Sequence, residues 1–156
     1  MAKPIPKGYN TVTPYLTIRR AADAIEWYKK AFGAEEVSRV PMSEEDPRLM
    51  HGEIRIGNSI IMMSEEFPEW GSRGAETIGG SPVSLLIYSD DVDSLWKRAV
   101  GAGAKVKMEL ADQFWGDRFG SLEDPFGHQW SVGTHVRDVS PDEMQRAMKE
   151  MEKAKP

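Results

Sequence analysis

Hydrophobic residues recur in this chain with two periods, and the order of the periods is itself repeated. Over residues 12–18, Val12, Leu16 and Ile18 fall on one side and Thr13, Tyr15 and Thr17 on the other, the two-residue period of a strand. Pro14 has no amide hydrogen, so this strand is expected at a sheet edge or irregular there. The period then lengthens. Ala21, Ala24, Ile25, Tyr28 and Phe32 recur at helical spacing, and Gly33 is a fitting stop. Residues 35–41, 49–56 and 59–64 read as three more strands, with the polar loop MSEEDPR after the first and a tight Gly57-Asn58 hairpin before the last.

The same order returns downstream. Val83, Leu85 and Ile87 alternate with Ser84, Leu86 and Tyr88; Asp91 then caps a helix carrying Val92, Leu95, Trp96 and Ala99. A strand over 105–110 is followed by a loop, ADQFWGDRFG, a hairpin at Asp124-Pro125-Phe126-Gly127 and a last strand over about 128–136. The segments 12–34 and 83–104 share one outline, with Gly33-Ala34 and Gly103-Ala104 offset by 70 residues. The pattern predicts an α+β fold of tandem βαβββ modules, about 10–64 and 83–136, forming a partly closed eight-stranded barrel or cup. Both modules lie in a single domain over 1–138, and the Pro- and Gly-rich stretch 65–82 is their linker. Residues 139–156 form a C-terminal helix and tail, opened by a Ser140-Pro141-Asp142-Glu143 capping sequence, with Met144, Ala147, Met148 and Met151 on one side.

Strand parity sorts the side chains into two faces. Val12, Leu16, Ile54, Ile56, Val83, Leu85, Trp130 and Val132 are expected under the helices. Their alternates are Thr13, Tyr15, Thr17, His51, Glu53, Arg55, Ser84, Leu86, Tyr88, Ser131, Gly133 and His135. This second set mixes polar and aromatic groups, which suits a small-ligand cavity shared by the modules.

Composition narrows the choice. A net charge of −5 disfavours a dedicated nucleic-acid binder. No apolar run approaches the roughly 20 residues of a membrane span, and MAKPIPKGYN has no apolar core of a signal peptide. The absence of cysteine excludes disulfides, thiol nucleophiles and thiolate metal sites, with a cytoplasmic location as the default.

Three segments, AIEWYKKAFGAEEV (24–37), SDDVDSLWKRAVGAGA (89–104) and DQFWGDRFGSLEDPFGHQW (112–130), resemble the vicinal oxygen chelate superfamily of glyoxalase I, bleomycin-resistance proteins and extradiol dioxygenases. The last segment is similar to its PhnB-like subgroup. The resemblance covers about residues 10–138 and implies a homodimer and a divalent metal held by His, Glu or Gln on the first and last strands of the modules. Carried over residue by residue, those positions are Thr13, Ile61, Ser84 and Ser131. Hydroxyls are poor ligands for zinc or nickel and Ile61 has no donor, so no metal or other cofactor is expected at the usual place.

The remaining chemistry lies in a few side chains. His51 and Glu53, two apart on one strand, share a face and form a candidate acid–base or metal-binding couple, with Arg55 beside them to neutralise Glu53. The alternative for this couple is a polar sheet face hydrogen-bonded within itself. His135 shares the Ser131 face, and a relocated metal site of His51, Glu53 and His135 requires three strands to converge. In the 111–120 loop, Trp115 can stack on a planar group and Arg118 can hold a carboxylate or phosphonate, unless Asp117 occupies Arg118. Two functions follow. One is a metal-independent small-molecule binder using Thr13, Tyr15, Tyr88, Trp115, Arg118, Ser131 and His135. The other is a glyoxalase-type lyase or isomerase using a relocated metal or Glu53 as base.

Overall fold

The computed structural model describes all 156 residues. Each half of the chain builds one βαβββ module. The first comprises β1 (Tyr15–Ile18), α1 (Ala21–Phe32), β2 (Glu35–Pro41), β3 (Leu49–Ile56) and β4 (Ser59–Glu65). The second comprises β5 (Ser84–Tyr88), α3 (Val92–Gly101), β6 (Lys105–Asp112), β7 (Asp117–Glu123) and β8 (Gln129–His135). The sheets have matching orders, β1-β4-β3-β2 and β5-β8-β7-β6, with β1 parallel to β4 and β5 parallel to β8. The segment expected to be a bare linker holds a 3₁₀ turn at Pro68–Trp70 and a short helix, α2, at Ala75–Ile78. Pro141–Lys153 forms α4, whose Met148 and Met151 are exposed.

The first strand is shorter than its alternation suggests. Val12 and Val83 lie outside the strands and are exposed rather than tucked under the helices. Pro14 explains the first case: it breaks the ladder, and only its carbonyl is used, accepting from the Met62 amide at 2.9 Å. Residues 117–120, expected in a loop, instead open β7.

The two sheets do not close into a barrel, because no strand of one pairs with a strand of the other. Packing gives the reason. Tyr28 and Phe32 of α1 lie against Trp130 of β8, with ring centroids 5.3 and 4.8 Å apart, so the helix-covered faces of both modules share one core. Burying such large side chains stabilises the fold by about 1.5–3 kcal/mol each. The opposite, open faces carry no helix and leave Tyr15, Leu86 and Tyr88 exposed.

The repeat extends to the contact of helix with sheet. Gly52 faces α1 and Gly120 faces α3, and pairing places them at equivalent points, two residues before Ile54 and Leu122. A β-carbon on Gly52 would lie 3.0 Å from Ile25 Cδ1, and one on Gly120 only 2.5 Å from the Trp96 ring. Both helices sit on their sheets where a side chain is missing.

Candidate functional site

The open face of module one carries a chain of hydrogen bonds. Tyr15 on β1 and His51 on β3 lie on strands separated by β4, and the Tyr15 hydroxyl is 2.9 Å from His51 Nδ1. His51 Nε2 is 2.9 Å from Glu53 Oε1, the contact that their two-residue spacing predicts. Tyr9, from the segment before β1, donates its hydroxyl to Glu53 Oε2. Burial raises the Glu53 carboxyl, but the hydrogen bonds from His51 and Tyr9 outweigh it and hold the group below its ordinary range. Arg55 does not neutralise Glu53; it lies 3.6 Å from Glu35.

The open face of module two has a polar end, an apolar middle and a hydroxyl end. At the first, Asp117 is buried and accepts from the Tyr88 hydroxyl at 3.1 Å, while its other oxygen is 2.7 Å from His135 Nδ1. His135 Nε2 reaches Asp138 at 2.8 Å. Hydrogen bonds to Asp138 and Asp117 raise the His135 imidazole, and the bond to Asp117 raises the Tyr88 phenol. In the middle, Gly133 leaves the space over which Phe119 and Leu86 come together. Trp115 packs edge-on against Phe119 and Phe114, with centroids 5.4 and 5.2 Å apart. At the far end, Ser131 lies 3.3 Å from Ser84 and 3.2 Å from Ser121, a ladder of three hydroxyls.

Three expected site residues are placed differently. Thr13 precedes β1 and its hydroxyl is used locally on the Asn10 carbonyl. Arg118 does not pair with Asp117. As neighbours in β7 they point to opposite faces, and Arg118 turns toward α3, where it binds Asp93 at 2.9 Å and Asp112 at 3.2 Å. Ile61 pairs with Ile54 under α1, so the module-one counterpart of Ser131 is its neighbour Met62, which pairs with Tyr15 and Glu53. His51 and Glu53 are not joined to His135 by any hydrogen bond, and no group of three or more His, Asp or Glu side chains is arranged to hold a metal.

Tyr9 and Asp117 are the site residues that sequence reasoning missed. Asp117 was legible only if β7 began at residue 117, which would have set its parity with Phe119 and Ser121. Tyr9 lies in a segment with no periodicity, and nothing in the sequence marks its contact with Glu53.

Two cavities lie beside these groups. One of about 430 Å³ separates β5 from the β3–β4 hairpin and is bordered by Val12, Ile56, Leu86 and Tyr88. Another, of about 320 Å³, lies between β1 and β5 and includes Arg73 and His128 in its lining. His128 Nε2 is 3.0 Å from the Thr17 carbonyl, which ties β8 to β1 across that gap.

The donor set at the superfamily's ligand positions is Thr13, Met62, Ser84 and Ser131. Three neutral hydroxyls and a thioether do not fit zinc, nickel or manganese, which take imidazole, carboxylate or thiolate donors.

Comparison with known proteins agrees with the architecture. The chain is 43% identical over 140 residues to protein Mb0911c of Mycobacterium bovis, described as uncharacterized, covering 88% of this chain and 91% of the relative. Among solved structures, protein PA1353 from Pseudomonas aeruginosa superposes with a TM-score of 0.67 at 22% identity, covering 82% of this chain and 99% of that one. The PhnB protein from Bacillus cereus, described as a putative 3-demethylubiquinone-9 3-methyltransferase, superposes with a TM-score of 0.62 at 16% identity, covering 80% of this chain and 99% of that one. Residues 9–132 match the family profile described as the Glyoxalase/Bleomycin resistance protein/Dioxygenase superfamily. With two βαβββ modules and a profile match over most of its length, the chain belongs to that superfamily.

Proposed function

We propose that the protein binds a small molecule between the open face of module one in one chain and the open face of module two in a second copy, without the superfamily's metal. The observation that carries this reading is the make-up of the two open faces. Tyr15, Leu86 and Tyr88 are exposed there, beside the carboxylates of Glu53 and Asp117. Aromatic surface above these buried negative charges favours a planar cationic ligand. A homodimer covers both faces and encloses the ligand between them. The hydroxyls and thioether at positions 13, 62, 84 and 131 support metal-free binding. No helix is long and apolar enough to cross a membrane, and the absence of cysteine fits a reducing compartment, so we place the protein in the cytoplasm.

The test uses purified, dialysed protein. Light scattering after size-exclusion chromatography should give a dimer. A panel of planar cationic aromatics should contain compounds that raise the melting temperature. Trp115→Ala should weaken such a ligand by about two- to tenfold, since losing a stacking contact costs about 0.5–1.5 kcal/mol. Stoichiometric zinc, nickel or manganese in the protein, lost in Ser131→Ala or in both His51→Ala and Glu53→Ala, would overturn the metal-free reading. A monomer unaffected by any of the panel would overturn the binding site.

A further inference from the structure

We propose that the open face of module one is a proton-transfer site in which Tyr15 Oη exchanges a proton with a bound weak acid, His51 is the base behind it, and Glu53 positions His51. The inference deepens the ligand-site reading and revises the expectation that Glu53 is itself the base.

The Glu53 carboxylate is not presented to a ligand. Its side chain is only 11% exposed, Oε1 faces His51 Nε2 and Oε2 accepts from Tyr9. An ionised carboxylate only accepts hydrogen bonds, so the nitrogen that faces it carries the hydrogen. A neutral imidazole has one N–H, and its Nδ1 is therefore an acceptor. The hydroxyl 2.9 Å from Nδ1 is thus the donor: Tyr15 points its proton at His51. Tyr15 is the outermost member of the chain, with 52% of its surface exposed.

This order defines a balanced step. A bound molecule with an acidic O–H, or a C–H next to a carbonyl, passes its proton to Tyr15 Oη as the Tyr15 proton moves to His51 Nδ1. The imidazolium that forms is neutralised by Glu53, the orienting role a carboxylate plays behind a histidine base. Reversal returns the proton to another atom of the same molecule, which is an isomerisation. No electron changes hands and no metal takes part.

The chain contains its own reference. Tyr88 is exposed to a similar degree, at 61%, but its hydroxyl donates to the Asp117 carboxylate rather than to an imidazole. A carboxylate is the weaker base, and its charge opposes formation of a phenolate beside it.

Benzenesulfonyl fluoride reports the difference without any ligand being known. The Tyr15 oxygen forms a bond to sulfur, the sulfur–fluorine bond breaks, fluoride leaves and the phenol proton passes to His51. Adducts on the four tyrosines are read by peptide mass spectrometry at neutral pH. Tyr15 should be labelled about tenfold faster than Tyr88, part of the roughly 10²–10⁴-fold that a positioned base supplies. His51→Gln should bring Tyr15 down to the rate of Tyr88, Glu53→Gln should slow it part of the way, and Tyr88 should be unchanged in both. Equal labelling of Tyr15 and Tyr88 in the native protein, or an unaltered Tyr15 rate in His51→Gln, would overturn the proposal. Tyr28 is fully buried, so its labelling marks a variant that has unfolded. In that event the nitrogen-15 spectrum of the native protein decides. A hydrogen on His51 Nε2 supports the relay, and one on Nδ1 overturns it. Because no step requires ligand, a negative result leaves the small-molecule site standing, and failure to find a ligand leaves the relay standing.

Discussion

The Tyr28 hydroxyl of α1 donates to the Asp124 carboxylate at 2.6 Å, across 96 residues of chain and from one module to the other. Asp124 also accepts from Trp130 Nε1 at 2.8 Å with the same oxygen, and from the amides of Phe126 and His128 with the other. One buried carboxylate thus shapes the turn before β8 and pins that turn to the first helix. Asp124→Ala leaves several buried donors without partners and should cost about 2–4 kcal/mol, on the scale of about 1–3 kcal/mol per unsatisfied group. Tyr28→Phe removes one partner and keeps the ring, and should cost about 1 kcal/mol. Urea unfolding of the two variants checks the ranking; equal losses would contradict it.

The paired glycines give a second ranking. Gly120→Ala drives a methyl against the rigid Trp96 ring and should destabilise by about 1–3 kcal/mol. Gly52→Ala meets the end of Ile25, which can rotate away, so it should cost less. Melting temperatures of the two variants, with circular dichroism to confirm that the fold is retained, measure the order.

Glu53 contributes to stability in one pH window. Its carboxyl lies below the ordinary range in the fold, so its contribution is fully present above about pH 5, given an unfolded value near 4.3. That contribution is lost as pH falls through the folded value. Glu53→Gln should therefore flatten the acid limb of a stability-against-pH curve and leave the slope near neutrality unchanged.

His135 has the opposite sign. Asp138 and Asp117 hold its imidazole above the ordinary value near 6.5. Its stabilising pairs are complete below that unfolded value and weaken as pH rises through the folded one. Proton NMR should show His135 titrating above 6.5, and Asp138→Asn should bring the midpoint down.

Much of the frame was legible because it depends on local periods. The α1 positions Ala21, Ala24, Ile25, Tyr28 and Phe32 are all buried, and β2 and β3 have the bounds their alternation predicts. The His51–Glu53 contact was legible for the same reason, since neighbours two apart on a strand share a face. Reading residues 111–120 as one loop hid the parity that separates Asp117 from Arg118, and so gave the arginine to the wrong face. The register of Ile61 slipped by one residue, which moved a core position onto the open face. Asp124 illustrates what no local pattern carries. Its turn was readable, but its partners in α1 and β8 exist only once the modules dock.

The ends of the two main helices are completed by each other. Arg98 of α3 donates to the carbonyls of Lys30 and Lys29 at the end of α1, at 2.7 and 3.0 Å. Trp27 of α1 donates its indole to the Ala102 carbonyl just past α3, at 2.8 Å. The Lys30 and Ala102 carbonyls, which their own helix ends leave unpaired, are therefore satisfied from the sister half, while Lys29 also accepts from the Gly33 amide. Severing the backbone between the halves would deprive each fragment of these partners and of the aromatic packing of Tyr28 and Phe32 on Trp130. Separately expressed fragments should stay unstructured alone and regain order only when mixed, so the ancestral duplication has become a mutual dependence.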